Sequence, residues 1–411
     1  MKETVLLTGG AGFIGSHIAV ELLQRDYDVV IADDLSNSSP DVPERIEKIT
    51  GRAPVFYRMD VSDRQALDRV FRAHDIAAAV HLAGYKAVGE SVQKPLAYYR
   101  NNLDTTLALL EVMADHGVHR LIFSSSATVY GTPETMPNRE SDVVGKVCCP
   151  YGFSKYLNEL LLQDFARQRD KFRFASLRYF NPVGAHPSGL IGEDCGQKAP
   201  NNLAPYITRT LLGQFPYLSV YGDQYDTADG TGVRDYIHVV DLAKGHIAAL
   251  NYLEKTDSKY DVFNLGTGKG TTVLQLVSAF EEASGRKVPY RIVGPRPGDV
   301  PLSFAAVEKA KNILGWTAEY DYKDCARDSW NWQVQKPNGH TEEGYSFRTA
   351  LFPHPSKKSP VSGSFDRLRG SFLSCACPMG EGASFLRGEQ QVQDRGNVSA
   401  VRAVCQNTGG D

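Results

Sequence analysis

In the run Tyr151-Gly152-Phe153-Ser154-Lys155, a phenol and an ammonium are spaced so that both project from one face of a helix. A phenol with an ordinary pKa of about 10 is a poor base at neutral pH, and a neighbouring cation favours its ionised form. The pair suits general acid–base work on a hydroxyl, with Lys155 as the cation. Ser124, Ser125 and Ser126 end a strand-like run, and strand C-termini face the ligand crevice in open α/β sheets. Ser126 is then placed to donate to the oxygen that Tyr151 deprotonates. The plainer reading makes these serines a helix cap or loop formers, and a Tyr-x-x-x-Lys match alone is most often an exposed helix pair.

A second constellation stands near the start of the chain. Gly9, Gly12 and Gly15 follow an apolar run and open a segment of helical period, so a diphosphate can approach the backbone and meet the N–H groups of a helix N-terminus. Asp33 ends the next strand-like run, where a carboxylate accepts from ribose hydroxyls. A 2′-phosphate would meet Asp33 and Asp34 with no arginine beside them, so NAD is expected rather than NADP. The bland alternative is a strand-end turn with acidic solvent contacts.

The elements that must hold these groups read as α/β: a Rossmann-type doubly wound parallel sheet with a smaller, interleaved C-terminal lobe. Strands are expected over Thr4 to Thr8, Asp28 to Asp33, Val55 to Arg58, Ala78 to His81, Leu121 to Ser124 and Phe174 to Arg178. Ile14, Ile18 and Leu22 give the first helix one buried stripe, closed by the polar Arg25 and Asp26. From Asn181 the prolines and glycines multiply, marking a second lobe over 181–339 beside a dinucleotide-binding part over 1–180. Asp235 to Val239 and Tyr260 to Leu265 have strand composition and return the chain to the first sheet. Beyond His340 no apolar period survives, and a disordered tail is expected over 340–411.

Composition narrows the function classes. With 411 residues and 42% apolar content, the chain can bury a large core around a cleft. A net charge of -3 without a basic face argues against nucleic acid. There is no apolar run of about 20 residues and no charged leader before Thr4, which points away from the membrane and toward the cytoplasm. Cys148, Cys149, Cys195, Cys325, Cys375, Cys377 and Cys405 do not form paired metal-ligand sets, so reduced thiols and no metal are expected.

The Gly9 to Gly15 loop, Ser124-Ser125-Ser126 and the Tyr151/Lys155 pair together resemble the extended short-chain dehydrogenase/reductase family, and within it the UDP-hexose 4-epimerase branch. The resemblance runs from about residue 3 to 339. It is carried further by Gly84-Tyr85-Lys86-Ala87-Val88-Gly89-Glu90, Arg178-Tyr179-Phe180-Asn181-Pro182-Val183-Gly184, Pro200-Asn201-Asn202-Leu203 and Asp229-Gly230-Thr231-Gly232-Val233-Arg234-Asp235. It implies NAD contacts at Phe13, Ile14, Asp33, Asn37, Asp60, Val61, Leu82, Lys86, Asn101, Ser126, Tyr151, Lys155 and Phe180. It implies UDP-sugar contacts at Lys86, Ser126, Tyr151, Asn181, Asn202, Leu203, Tyr221, Arg234, Arg296 and Asp299. For Arg234 and Arg296 the physics agrees, since a guanidinium fork suits a pyrophosphate. The implied reaction is reversible C4 epimerisation of UDP-galactose and UDP-glucose through a 4-keto sugar, with NAD retained. A homodimer built on the helices before residue 115 and around Lys155 is implied too.

Ser303 stands where the family's sugar pocket often carries a bulky tyrosine, so acceptance of UDP-N-acetylhexosamines is expected. An NDP-sugar 4,6-dehydratase shares the Tyr/Lys pair but needs an added acid and base after the serine, and Ala127-Thr128 supplies no carboxylate. The rival from another class is a non-catalytic NAD-binding partner protein, against which the retention of Ser126, Tyr151 and Lys155 argues.

Overall fold

Short β-branched and leucine-rich runs alternate with helices from the start of the chain. The first half reads β1 (Thr4–Thr8), α1 (Phe13–Gln24), β2 (Asp28–Asp33), α2 (Val42–Thr50), β3 (Val55–Arg58), α3 (Arg64–Ala73) and β4 (Ile76–His81). It continues through α4 (Val88–Gln93), α5 (Pro95–Asp115), β5 (Arg120–Ser126), α6 (Pro150–Arg167) and β6 (Arg173–Tyr179). There follow β7 (Asn181–Val183), α7 (Leu203–Leu211), β8 (Leu218–Tyr221), β9 (Val233–Arg234), β10 (Tyr236–His238), α8 (Val239–Leu253) and β11 (Tyr260–Leu265). The rest comprises β12 (Thr271–Thr272), α9 (Val273–Ser284), β13 (Tyr290–Val293), β14 (Leu302–Ser303) and α10 (Tyr322–Gln335). This computed structural model describes residues 2–133, 135–194, 200–296 and 299–339, so the expected tail and Cys195, Cys375, Cys377 and Cys405 lie outside the described residues.

Seven strands form one sheet in the order β11-β6-β5-β4-β1-β2-β3, all parallel. Parallel strands carry helices on both faces and so are apolar on both. Val5, Leu7, Val29 and Ile31 enter the core shared with α1, α2 and α8, while Leu6, Val30, Leu121 and Phe123 enter the core shared with α3, α5 and α6. Each such apolar side chain contributes roughly 1.5–3 kcal/mol on burial. Strand order reverses between β1 and β4, which makes their C-terminal ends the switch point where ligands bind in such sheets.

Two expectations are corrected here. The first helix is not covered along one stripe: every residue from Gly15 to Leu23 is buried, because α8 packs on the side that α2 and the sheet leave open, while Ile14 is only half-buried. Of the two returning segments, only Tyr260–Leu265 joins the main sheet. Tyr236–His238 pairs instead with β7 in a separate two-stranded sheet, because Asn181–Val183 extends past the end of β6 and offers it a parallel edge. A third apolar cluster gathers Ile207, Leu211, Leu218, Val220, Leu276, Phe280 and Cys325 from α7, β8, α9 and α10. Among the described residues Cys148, Cys149 and Cys325 are free thiols, and no helix is long and apolar enough to cross a membrane.

Candidate active site

The C-terminal ends of β1 to β6 bring the first set of candidate residues to one edge of the sheet. Gly9 follows β1, Asp33 ends β2, Asp60 and Val61 follow β3, Leu82 follows β4, Ser126 ends β5 and Phe180 follows β6. The turn after β1 is built for glycine. A Cβ on Gly15 would stand 2.5 Å from the Gly9 carbonyl oxygen and 2.6 Å from the Gly10 Cα, and one on Gly9, whose φ is +71°, would stand 2.8 Å from the Ala83 nitrogen. α1 then begins at Gly12 with no side-chain cap and no acidic residue in its first turn. The N–H groups of Phe13 and Ile14 are therefore left to an anionic ligand.

Asp33 is buried and already occupied. Its Oδ2 accepts from the Ala11 N–H at 3.0 Å, and its Oδ1 from the Leu35 N–H at 2.9 Å and the Ser38 hydroxyl at 2.7 Å. Burial pushes its pKa up, and those three hydrogen bonds pull the other way. The carboxylate thus ties the glycine turn to the second strand. Val61 has its side chain in the core, so it faces a ligand only through backbone. Asn37 and Asp60 are exposed, with Asp60 accepting from the Ser62 N–H and hydroxyl.

The catalytic candidates converge where β5 meets α6. Pro150 at the first turn and the Cys149 thiol, which accepts from the Gly152 N–H at 3.5 Å, start α6 just before Tyr151. The Lys155 ammonium donates to the Ser124 carbonyl at 2.7 Å and lies 6.0 Å from the centre of the Tyr151 ring. Burial lowers its pKa to about 8. Burial also raises the Tyr151 phenol, while a hydrogen bond with the Ser126 hydroxyl and the charge of Lys86 work in the opposite direction. Lys155 is held at a fixed distance from the phenol ring, and Lys86 adds a further positive charge that favours the phenolate. Ser126 acts as a cap, its oxygen accepting from the Thr128 N–H and hydroxyl, and it stands near enough to Tyr151 to favour the phenol's ionised form.

The remaining candidates form a second group that one carboxylate joins to the first. Glu193 accepts from Lys86 Nζ at 3.1 Å and from Asn202 Nδ2 at 2.6 Å. Asn202 caps α7, which begins with half-buried Leu203. Asn181 faces Tyr236 across the β7–β10 pairing. Arg234 pairs with Asp299 and lies in register with Ser303 across β9 and β14. The Arg296 guanidinium stacks 3.9 Å from the centre of the Tyr221 ring. Asn101 accepts from the Tyr85 N–H at 3.2 Å.

Four positioning residues escaped the sequence reading. Asn102, beside Asn101, accepts from the Tyr85 N–H, donates to the Tyr85 carbonyl and to Ser154 on α6, and so anchors the loop that carries Lys86. Asp235 accepts from Thr267, Gly268 and Ala305, fixing the segments around Arg234 and Ser303. Glu193 has no local signature at all. Glu159 had one, since it lies four residues past Lys155 on the same helical face.

A glycine cradle at the switch point of a parallel sheet, with a phenol, an ammonium and a serine hydroxyl at the next strand ends, defines a dinucleotide-dependent enzyme acting on a carbon that bears a hydroxyl. The profile of the NAD dependent epimerase/dehydratase family matches residues 5–266, and the chain belongs to that family. It is 50% identical to the UDP-glucose 4-epimerase of Dictyostelium discoideum over 342 residues, covering 83% of this chain and 99% of that one. It is 50% identical over 345 residues to the human protein of the same name, covering 82% of this chain and 99% of that one. Among solved structures, UDP-glucose 4-epimerase from Bifidobacterium longum, in complex with NAD+ and UDP, superposes with a TM-score of 0.79 at 50% identity, covering 82% of this chain and all of that one.

Proposed function

We propose that the chain interconverts UDP-galactose and UDP-glucose by inverting C4, with Tyr151 as acid–base, Ser126 as its partner on the substrate hydroxyl and Lys155 as the fixed cation. The observation that carries this is the Lys155 ammonium, held 2.7 Å from the Ser124 carbonyl and 6.0 Å from the centre of the Tyr151 ring, at the strand end that bears Ser126 and beside the glycine cradle. The cradle fits NAD, because Gly9 and Gly15 let the turn close tightly on itself and α1 starts without a side-chain cap, leaving its first N–H groups to a diphosphate. Held by the cradle, NAD would supply reversible hydride acceptance at the sugar's C4 and a positive charge that favours the phenolate. Tyr151 takes the O4 proton and gives it back. Gly9, Gly12, Phe13, Ile14, Gly15, Asp33, Asn37, Asp60, Val61, Leu82, Lys86, Asn101 and Phe180 hold the cofactor.

The sheet over 1–180, with the returning part of 235–265, is the NAD-binding half in this reading, and 181–339 is the UDP-sugar lobe. Arg234 and Arg296 take the pyrophosphate, with Asn181, Asn202, Leu203, Tyr221 and Asp299 around the nucleotide and sugar. Half-buried Ser303 lies beside Arg234, and so small a side chain admits N-acetylated UDP-hexoses as well. The exposed apolar residues Val92, Leu96, Leu107 and Leu160, on α4, α5 and α6, favour pairing with a second copy. We place the enzyme in the cytoplasm, where Cys148 and Cys149 stay reduced.

Incubating the purified protein with UDP-galactose and no added NAD tests the reading. UDP-glucose should form, and its absence from NAD-replete protein would refute the assignment. Turnover of UDP-galactose without turnover of UDP-N-acetylgalactosamine would remove the Ser303 extension alone, and a monomer in sedimentation would remove the dimer.

A further inference from the structure

Two of the three consecutive serines at the end of β5 are bonded to α6, at positions one helical turn apart. The Ser124 carbonyl takes the Lys155 ammonium at 2.7 Å and the Ser125 hydroxyl donates to Glu159 Oε1 at 2.6 Å, while Ser126, next along the strand, acts on Tyr151 one turn earlier on the helix. The Lys155 link involves a group assigned to the chemistry. The Ser125–Glu159 link is buried, with Ser125 1% and Glu159 2% exposed.

Side chains alternate along a strand, so Ser125 shares the face of Leu121 and Phe123. Both of those pack into the apolar core under α5 and α6. A hydroxyl and a carboxylate in such a place cost desolvation, and apolar residues of the same shape are as stable or more so. Stability therefore does not account for the pair. Glu159 is also satisfied without Ser125: Arg178 donates through Nε at 3.0 Å to Oε1 and through Nη2 at 2.7 Å to Oε2. Arg178 in turn donates to the Tyr130 hydroxyl at 3.0 Å.

What the Ser125–Glu159 bond adds is register. It is directional, it joins the residue next to Ser126 to the helix bearing Tyr151, and it resists sliding of α6 along β5. Catalytic groups misplaced by about 1 Å lose on the order of a hundredfold in rate. We propose that Ser125 and Glu159 are positioning residues whose bond sets the reach of the Ser126 hydroxyl to the Tyr151 phenol. This rests on the reading of Tyr151 and Ser126 as the acid–base centre.

The test is Ser125→Ala in the NAD-loaded, full-length protein, which leaves the Glu159–Arg178 pair in place. The kcat for UDP-galactose should fall roughly 10- to 100-fold, with KM within about twofold of wild type and NAD content and urea midpoint unmoved. The acid limb of the kcat profile should move to higher pH, since a displaced Ser126 favours the ionised phenol less. Wild-type kcat in the variant overturns the proposal. So does a fall in kcat matched by lost NAD or a lowered midpoint, because that is a folding defect. A wild-type protein without turnover would instead refute the underlying reading.

Discussion

Lys155 and Tyr151 share one face of α6, yet the ammonium is held by the strand, donating 2.7 Å to the Ser124 carbonyl, and lies 6.0 Å from the centre of the phenol ring. The lysine is thus positioned before any ligand arrives. Its burial has a measurable consequence, because a cation removed from water loses its proton more easily.

In nucleotide-stripped protein the Lys155 pKa falls from 10.5 to about 8. Between those values the unfolded chain holds a proton that the folded chain has released, so stability rises with pH across this window. Relative to Lys155→Met, the wild type should gain on the order of 3 kcal/mol between pH 8 and 10.5. Paired urea melts at the two pH values measure it. Parallel behaviour of the two proteins would mean that Lys155 keeps its ordinary pKa.

Replacing Tyr151 by Phe removes the acid–base group while keeping the buried ring. The expected loss in kcat is roughly 10²- to 10⁴-fold, with bound NAD retained. Steady-state rates with NAD quantified after denaturation give both numbers.

Gly15→Ala aims at the cradle. The added methyl meets the Gly9 carbonyl oxygen at 2.5 Å and the Gly10 Cα at 2.6 Å, both backbone atoms without rotamers to yield. The turn must shift, so the purified variant should carry little NAD while its circular dichroism stays close to wild type. A variant that co-purifies with a full complement of NAD would show that the turn does not set cofactor affinity.

Glu159→Ala leaves the Arg178 guanidinium buried without its carboxylate. Breaking one side of such a pair costs about 3–5 kcal/mol, against an unmoved midpoint for Ser125→Ala. Chemical denaturation of the two variants side by side tests the contrast.

Most of the sheet was legible because strand periodicity and the glycine turn are local. Thr4–Thr8, Asp28–Asp33 and Val55–Arg58 were bounded to the residue, while β4, β5 and β6 run two to three residues longer because their neighbours continue the pairing. Tyr236–His238 was misjoined because strand composition does not say which edge is free, and that edge came from Asn181–Val183. At the site, spacing on one helix gave Tyr151 and Lys155. It did not give Lys86 as a second charge acting on the phenol, nor Glu193 as the link from Lys86 to Asn202, since both depend on loops meeting across the fold.

The interleaved connection also governs biogenesis. β11 pairs with β6 along its whole length, but residues 180–259 intervene. At roughly 5–20 residues per second, a ribosome leaves the outer edge of β6 bare for about 4–16 s. An unpaired edge is a template for wrong partners, so the nascent enzyme is most vulnerable to aggregation in that interval, and a chaperone would be most useful there.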